Sequence, residues 1–110
     1  MVIRQNPDDG GIGRLEDEAA RVAGVLKLLA NESRLLILCR LAIAGEMPVG
    51  ELSQTIGLSQ SALSQHLAKL RAEGLVDFRR QSQTLFYRLA DAQAARLLSA
   101  LKDIYCPNIT

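Results

Sequence analysis

The segment LSQSALSQHLAKLRAEGLV, residues 58–76, combines leucines at helical spacing with short, uncharged polar side chains. Leu63, Leu67 and Leu70 would form the buried stripe of a helix. The polar residues that fall on the opposite face, near the N-terminus of this helix, are Gln60, Ser61, Ser64 and Gln65. A helix that needs only solubility usually carries charges on its outer face, whereas Gln and Ser can hydrogen-bond to the edges of DNA bases. The pattern therefore predicts a helix that lies in the major groove of duplex DNA.

The residues around this face are of types that bind the DNA backbone. Ser59 is expected to cap the helix, whose N-terminus favours a phosphate, and His66 lies further along, where backbone contact is expected. The complete set of predicted DNA-contacting residues is Ser59, Gln60, Ser61, Ser64, Gln65, His66, Lys69, Arg79, Arg80 and Gln83. Positive charge around the uncharged face would come from Lys69, Arg71, Arg79 and Arg80. The alternative is an ordinary solvated helix and hairpin, in which His66 has only a local role.

The chain contains two cysteines, Cys39 and Cys106, which could carry thiol redox chemistry. Cys39 lies in the apolar run ESRLLILCRLAIA, where a free cysteine is commonly a small buried hydrophobic residue. Cys106 lies at a helix end before Pro107, where exposure is expected. Oxidation of two accessible thiols can end in a disulfide or polysulfide link, and a direct disulfide requires Cα atoms within about 7 Å. The pair is expected to be either two free thiols or a redox pair.

The elements that position these side chains follow from apolar periodicity and from capping residues. Helices are predicted over 15–30, from the N-cap Asn31 to Gly45, from about Pro48 to Ile56, over 60–73, and from Asp91 to Cys106. The runs LVDFRR and TLFYRLA flank the polar tip QSQ and predict a β-hairpin. This order is that of a winged helix-turn-helix domain, mainly α with a small β-hairpin. We expect a flexible arm over 1–14, a DNA-binding and dimerisation domain over 15–106 and a tail over 107–110.

Length and charge limit the classes of protein to which the chain can belong. Its 110 residues suit one domain, and so short a chain buries a small share of its surface, which favours a dimer. The net charge of +1 means that any positive charge for nucleic acid must be local. Neither a membrane span nor a signal peptide is recognisable, so we expect a cytoplasmic protein with reduced cysteines.

The string VGELSQTIGLSQSALSQHLAKLRAEGLV, followed by RRQSQTLFYRL, resembles the ArsR/SmtB family of bacterial winged-helix repressors. The resemblance extends from about Val22 to Tyr105. It implies a homodimer, joined through the first and last helices, that binds double-stranded operator DNA and leaves it when an inducer binds. Apolar stripes in the helices predicted over 15–30 and 91–105 agree with such an interface.

Many members of this family sense metals, but the present sequence departs from their motifs. Its third-helix segment VGELSQTIG has no Cys, and its last-helix segment DAQAARLLSALKDIYC has no His. Because a zinc or soft-metal site needs three or four Cys, His or carboxylate ligands, we expect neither a metal site nor another cofactor.

The cysteine positions instead resemble those of the BigR/SqrR branch, which carries one Cys in the second helix and one near the end of the last. HlyU-like regulators have the same arrangement. For Cys39 and Cys106 this resemblance implies a repressor that reactive sulfur species or oxidants release from DNA by linking the two thiols. The alternative is an ArsR-type repressor with incidental cysteines, as in NolR-like regulators, or with a different or metal inducer.

Two other classes of protein fit the sequence less well. A two-cysteine oxidoreductase would show Cys-x-x-Cys in a βαβ pattern, and the single His66 lies on the presumed DNA face, so that we do not expect an enzyme. A protein-interaction module built on the same fold would show acidic or apolar residues on the fourth helix and no basic wing. The arginines Arg79 and Arg80 favour DNA instead.

Overall fold

The computed structural model describes the backbone of residues 10–107 and the side chains of residues 16–107. Within that part of the chain the elements are α1 (Gly10–Leu29), α2 (Glu32–Ala44), β1 (Met47–Pro48), α3 (Val49–Ile56), α4 (Gln60–Ala72), β2 (Val76–Gln81), β3 (Thr84–Leu89) and α5 (Ala92–Tyr105). The winged helix-turn-helix prediction is confirmed: α3 and α4 form the helix-turn-helix, and β2 and β3 form the wing. No helix of the described residues is long and apolar enough to cross a membrane.

The first helix begins earlier than the sequence predicts. Residues 10–14, which the prediction assigned to a flexible arm because of their glycines, belong to α1. Intrinsic propensity is a weak signal, and once later turns are formed a helix can extend through unfavourable residues at low cost. Residues 1–9 of the predicted arm and 108–110 of the predicted tail lie outside the described residues.

The sheet has three strands in the order β1-β3-β2, whereas the sequence predicts only the β2–β3 hairpin. In the additional strand β1, Met47 pairs with Tyr87 and Pro48 with Phe86. Both Met47 and Tyr87 are buried, so this pairing closes the sheet over the core. The hairpin pairs Phe78 with Tyr87 and ends in a tight turn at residues 82–83. The consequence is that β3, as the central strand, fixes the wing to the body of the domain.

The core is built from the leucines that the helical spacing predicts. Leu63, Leu67 and Leu70 of α4 are at most 1% exposed, and they pack in one cluster with Ile37, Leu38 and Leu41 of α2 and with Leu98 of α5. The predicted N-caps Asn31 and Ser59 are confirmed, and Asp91, predicted to open the last helix, is its N-cap. The side-chain oxygens of all three accept hydrogen bonds from backbone N–H groups of the first turns. The outer face of α4 is therefore held in one orientation.

The turn between α3 and α4 is fixed by Ser53, which the sequence analysis did not single out. The Ser53 hydroxyl donates to the carbonyl oxygen of Leu58, and the Ser53 carbonyl oxygen accepts from the N–H groups of Gly57 and Leu58 at 2.9 and 3.2 Å. Gly57 has φ 85°, a left-handed conformation that glycine adopts without steric cost. Ser53 is buried, so these bonds are shielded from water and set the angle at which α4 leaves the turn.

We expect Ser53→Ala to lower the free energy of unfolding by about 1–2 kcal/mol, because it leaves the Leu58 carbonyl without its side-chain donor in a buried place. Urea unfolding followed by circular dichroism measures this. The control is Thr55→Ala, which removes an exposed hydroxyl from the same helix and is expected to change stability by less than about 0.5 kcal/mol. Equal effects of the two substitutions would contradict the role given to Ser53.

Candidate nucleic-acid interface and cysteine pair

The outer face of α4 carries the polar side chains that the sequence predicts. Gln60, Ser61, Ser64 and Gln65 are all exposed, and the helix packs on its leucine stripe. The hydroxyl of Ser59 accepts from the N–H of Ala62 at 3.1 Å and so is used as a helix cap. Hydrogen bonds from those four side chains to other described residues are absent. Their donors and acceptors are therefore available to an external partner, at the end of the helix that enters the major groove in a helix-turn-helix.

Of the remaining predicted residues on α4, Lys69 is exposed and His66 is half-buried. Lys69 forms no salt bridge with another described residue. His66 follows the exposed polar residues of the first turns, as predicted, and its partial burial restricts the directions in which its ring can reach. Both residues lie beyond the end of α4 that is predicted to contact bases, so the DNA-backbone contact expected of them stays a prediction.

Arg79, which the sequence predicts to contact DNA from the wing, is held by contacts within the protein. Its Nε and Nη2 donate to the two carboxylate oxygens of Glu46 at 2.9 and 3.0 Å, and its Nη1 donates to Oε1 of Gln81 at 2.8 Å. Its guanidinium carbon lies 4.5 Å from the centroid of the Phe86 ring. The bidentate Arg79 bond is the main reason why the pKa of Glu46 lies below its usual value. Arg79 is thus held within the wing.

Arg71, which is expected to supply positive charge around the polar face of α4, is also engaged within the protein. Its Nε lies 3.6 Å from Oδ1 of Asp77, and its guanidinium carbon lies 4.3 Å from the centroid of the Phe78 ring. These contacts join the last turn of α4 to the first residues of β2. Of the four cations expected around α4, Lys69 and Arg80 form no salt bridge with the rest of residues 16–107.

The tip of the wing carries Arg80 and Gln83, both exposed as predicted. Arg80 pairs with Leu85 across the hairpin, and Gln83 is part of the two-residue turn. Ser82, the other turn residue, has φ 56°, an uncommon conformation for a residue with a side chain. The tip therefore presents one cation and one amide on a narrow, tightly turned loop, a form suited to contact with phosphates or the minor groove.

The two cysteines lie on α2 and at the end of α5, which pack against each other. Cys39 is half-buried and Cys106 is exposed; both are free and are not joined by a disulfide. The backbone N–H of Cys106 donates to the Lys102 carbonyl at 2.7 Å and closes the last turn of α5. Burial raises the pKa of the Cys39 thiol, and charge repulsion from the Cys106 thiolate raises that pKa further. The two thiols therefore differ in exposure, and the thiolate form of Cys39 is disfavoured.

A metal site is not apparent in the described part of the chain. No three His, Cys, Asp or Glu side chains among those residues are grouped so that they could hold an ion.

Comparison with known proteins identifies the family. Residues 31–77 match the family described as bacterial regulatory protein, arsR family. The transcriptional activator HlyU of Vibrio cholerae is 48% identical over 92 residues, which cover 84% of each chain. The chain belongs to the ArsR family. Among solved structures, the transcriptional repressor BigR of Xylella fastidiosa is 46% identical with a TM-score of 0.79, covering 86% of this chain and 95% of that one. The homodimeric winged helix-turn-helix DNA-binding domain of Mb0332 from Mycobacterium bovis is 33% identical with a TM-score of 0.67, covering 94% and 89%.

As a member of the ArsR family, the chain is a DNA-binding transcriptional regulator of the HlyU- and BigR-like kind. In a helix-turn-helix the second helix is the recognition helix, and in this fold that helix is α4. Its first two turns carry Gln60, Ser61, Ser64 and Gln65, which the sequence predicts to contact bases. Sequence reasoning missed Ser53, Glu46 and Phe86, which position the helix and the wing. Ser53 could have been found from the sequence, because it is a small polar residue four positions before Gly57, the glycine of the turn. The contact between Glu46 and Arg79 could not, because these residues are too distant in the sequence to be paired from a pattern.

Proposed function

We propose that this ArsR-family regulator is a homodimeric repressor that senses reactive sulfur species or oxidants through Cys39 and Cys106, with no enzymatic activity of its own. The reduced protein binds operator DNA, and a link between the two cysteines releases it. The observation that carries the proposal is the position of the two free thiols on α2 and α5, two helices that pack against each other.

Dimerisation through the first and last helices is supported by exposed apolar side chains. Leu26 of α1 is 49% exposed, and Ile104 and Tyr105 of α5 are 68% and 77% exposed. An exposed apolar patch marks a surface that another chain covers, and these side chains lie on the two helices to which the resemblance assigns the dimer interface. The relative Mb0332 is homodimeric, and its likeness over most of the chain supports the same assembly here.

The chemistry begins at the more accessible thiol. Cys106 is exposed, whereas burial lowers the thiolate content of Cys39 by raising its pKa. The Cys106 thiolate attacks the sulfane sulfur of a persulfide R–S–SH, forms Cys106–S–SH and releases the thiol RSH. The Cys39 thiolate then attacks the Sγ of Cys106, forms the Cys39–Cys106 disulfide and releases hydrogen sulfide. The sulfane sulfur accepts the two electrons that the thiols lose, so the reaction balances.

A link between these positions has a route to the DNA-binding face. Because the thiols are free and not in bonding contact, a disulfide has to draw the C-terminal end of α5 and the middle of α2 together. The helix α2 also packs against α4 and β3, so a shift of α2 moves the recognition helix and the base of the wing. A hundredfold weaker affinity for DNA requires that the reduced and the linked protein differ by about 2.7 kcal/mol in binding free energy.

The test measures binding of the protein to duplex DNA from its own promoter by fluorescence anisotropy, before and after addition of sodium tetrasulfide. We expect the reduced wild type to bind and the treated wild type to bind about a hundredfold more weakly, because linked helices no longer present α4 correctly. Mass spectrometry of the treated protein should show a peptide in which Cys39 and Cys106 are joined directly or through additional sulfur.

The matched control is the double variant Cys39→Ser, Cys106→Ser, which should bind DNA as the reduced wild type does and ignore tetrasulfide. Release of DNA from the double variant would show that the cysteines are incidental, as in the alternative reading. Retained binding by treated wild type with unlinked thiols would also overturn the sensor proposal, while leaving the regulator itself intact.

A further inference from the structure

The salt bridge between Glu46 and Arg79 crosses the whole sheet of the wing. Glu46 immediately precedes β1, whereas Arg79 lies on β2, and β3 runs between these two strands. The register places Phe86 of β3 opposite both Pro48 and Arg79. The side chain of Arg79 therefore passes over the Phe86 ring to reach the Glu46 carboxylate, and it connects all three strands on one face.

The guanidinium group of Arg79 has little capacity left for DNA. Three of its N–H donors are used by Glu46 and Gln81, and its flat face is covered by Phe86. The Glu46 carboxylate neutralises its charge at 2.9 Å. A phosphate at the edge of the guanidinium that Glu46 occupies would have to displace a carboxylate held by two charge-assisted hydrogen bonds. Arg79 is thus better suited to hold the wing than to bind a phosphate.

Arg80 lies on the other face of the same strand. Side chains alternate along a strand, so Arg80 shares its face with Phe78, and Phe78 is the ring over which Arg71 of α4 lies. The face that carries Arg80 is therefore the face toward α4. Arg80 is exposed and forms no salt bridge with another described residue. Arg79 and Arg80 thus lie on opposite faces of the sheet, and of these two only Arg79 forms a salt bridge with another described residue.

We infer that the Glu46–Arg79 pair is a tie that positions the wing, and that Arg80 alone of these two arginines supplies the wing's charge to the DNA backbone. This inference rests on DNA binding by α4 and the wing. Glu46 and Arg79 are positioning residues, and Arg80 is the phosphate-contacting residue. In the wing, Arg79 therefore contributes to rigidity and Arg80 to affinity for DNA.

The test is the salt dependence of DNA affinity. A residue that neutralises a phosphate makes the affinity fall more steeply as the salt concentration rises, whereas a residue that only positions the wing does not change this slope. The Kd for promoter duplex is measured across a range of KCl concentrations for wild type, Arg79→Ala and Arg80→Ala. We expect Arg80→Ala to reduce the slope of log Kd against log salt by about 0.9 for each wing that contacts DNA. Arg79→Ala should weaken binding by a similar factor at every salt concentration, with the slope of the wild type.

Glu46→Gln is the third variant, and it retains Arg79 while it removes the charge of its partner. Because this substitution removes the charge that neutralises Arg79, its slope should equal or exceed that of the wild type, while circular dichroism confirms folding. If Arg79→Ala does not fold, Glu46→Gln together with Arg80→Ala decides the question. A slope reduced by Arg79→Ala, or left unchanged by Arg80→Ala, would overturn the inference. Absence of duplex binding by the wild type would instead contradict DNA binding itself.

Discussion

The double variant Ser64→Ala, Gln65→Ala is expected to bind operator DNA about a hundredfold more weakly than the wild type, with little change in its affinity for unrelated duplex. Both side chains are exposed on the part of α4 that is predicted to contact bases. A well-formed contact between a side chain and a base edge discriminates by about 1–3 kcal/mol, and two such contacts together give the expected factor. Non-specific affinity depends on phosphate contacts, which these substitutions leave in place.

The measurement compares Kd values for the promoter duplex and for a scrambled duplex of equal length at one salt concentration. Glu73→Gln is the control, because Glu73 is exposed at the opposite end of the same helix. It should leave the ratio of specific to non-specific affinity unchanged. If the double variant lost affinity for both duplexes equally, these side chains would be contributing to binding without distinguishing bases, and the role given to the uncharged face would be wrong.

Leu67→Ala is expected to lower the free energy of unfolding by about 2–5 kcal/mol, the range for truncation of a buried leucine. Leu67 is 1% exposed and lies between Leu63 and Leu70 in the cluster that joins α4 to α2. Removal of its side chain leaves a cavity beneath the recognition helix. Because domains of this size are stabilised by only about 5–15 kcal/mol, the loss is a large part of the total.

Urea unfolding at a fixed protein concentration measures this change, since association would otherwise shift the apparent stability. Leu36→Ala is the matched control: it is the same substitution at a leucine that is 45% exposed, and a smaller cost is expected because less apolar area is lost from the core. A midpoint for Leu67→Ala equal to that of Leu36→Ala would show that α4 does not depend on its leucine stripe.

Periodicity and capping determined which parts of this molecule could be predicted. The stripe of α4, the N-caps Asn31, Ser59 and Asp91 and the hairpin are local signals of several residues, and the structure bears them out. Exposure of the predicted residues on α4 follows from the same stripe, since a buried face determines the outer one. The leucine stripe can be recognised from a short segment because burial along a helix repeats every turn.

The features that could not be predicted depend on contacts between distant parts of the chain. The strand β1 has two residues, too few to show the alternation by which strands are recognised. Arg79 has the same sequence signature as Arg80, and its partner Glu46 precedes it by 33 positions. Which of two adjacent arginines is neutralised depends on the strand order, and that order depends on the packing of β1 against β3.

The two cysteines and the predicted DNA-contacting residues lie on different elements: the thiols belong to α2 and the end of α5, and the predicted DNA-contacting residues to α4 and the wing. Substitutions that adapt one surface therefore leave every residue of the other unchanged. An operator preference could evolve, or be engineered, by exchange of the first two turns of α4, while the proposed response of the cysteine pair is inherited intact. The converse also follows, so that lineages sharing this scaffold can diversify what they detect without acquiring new targets at the same time.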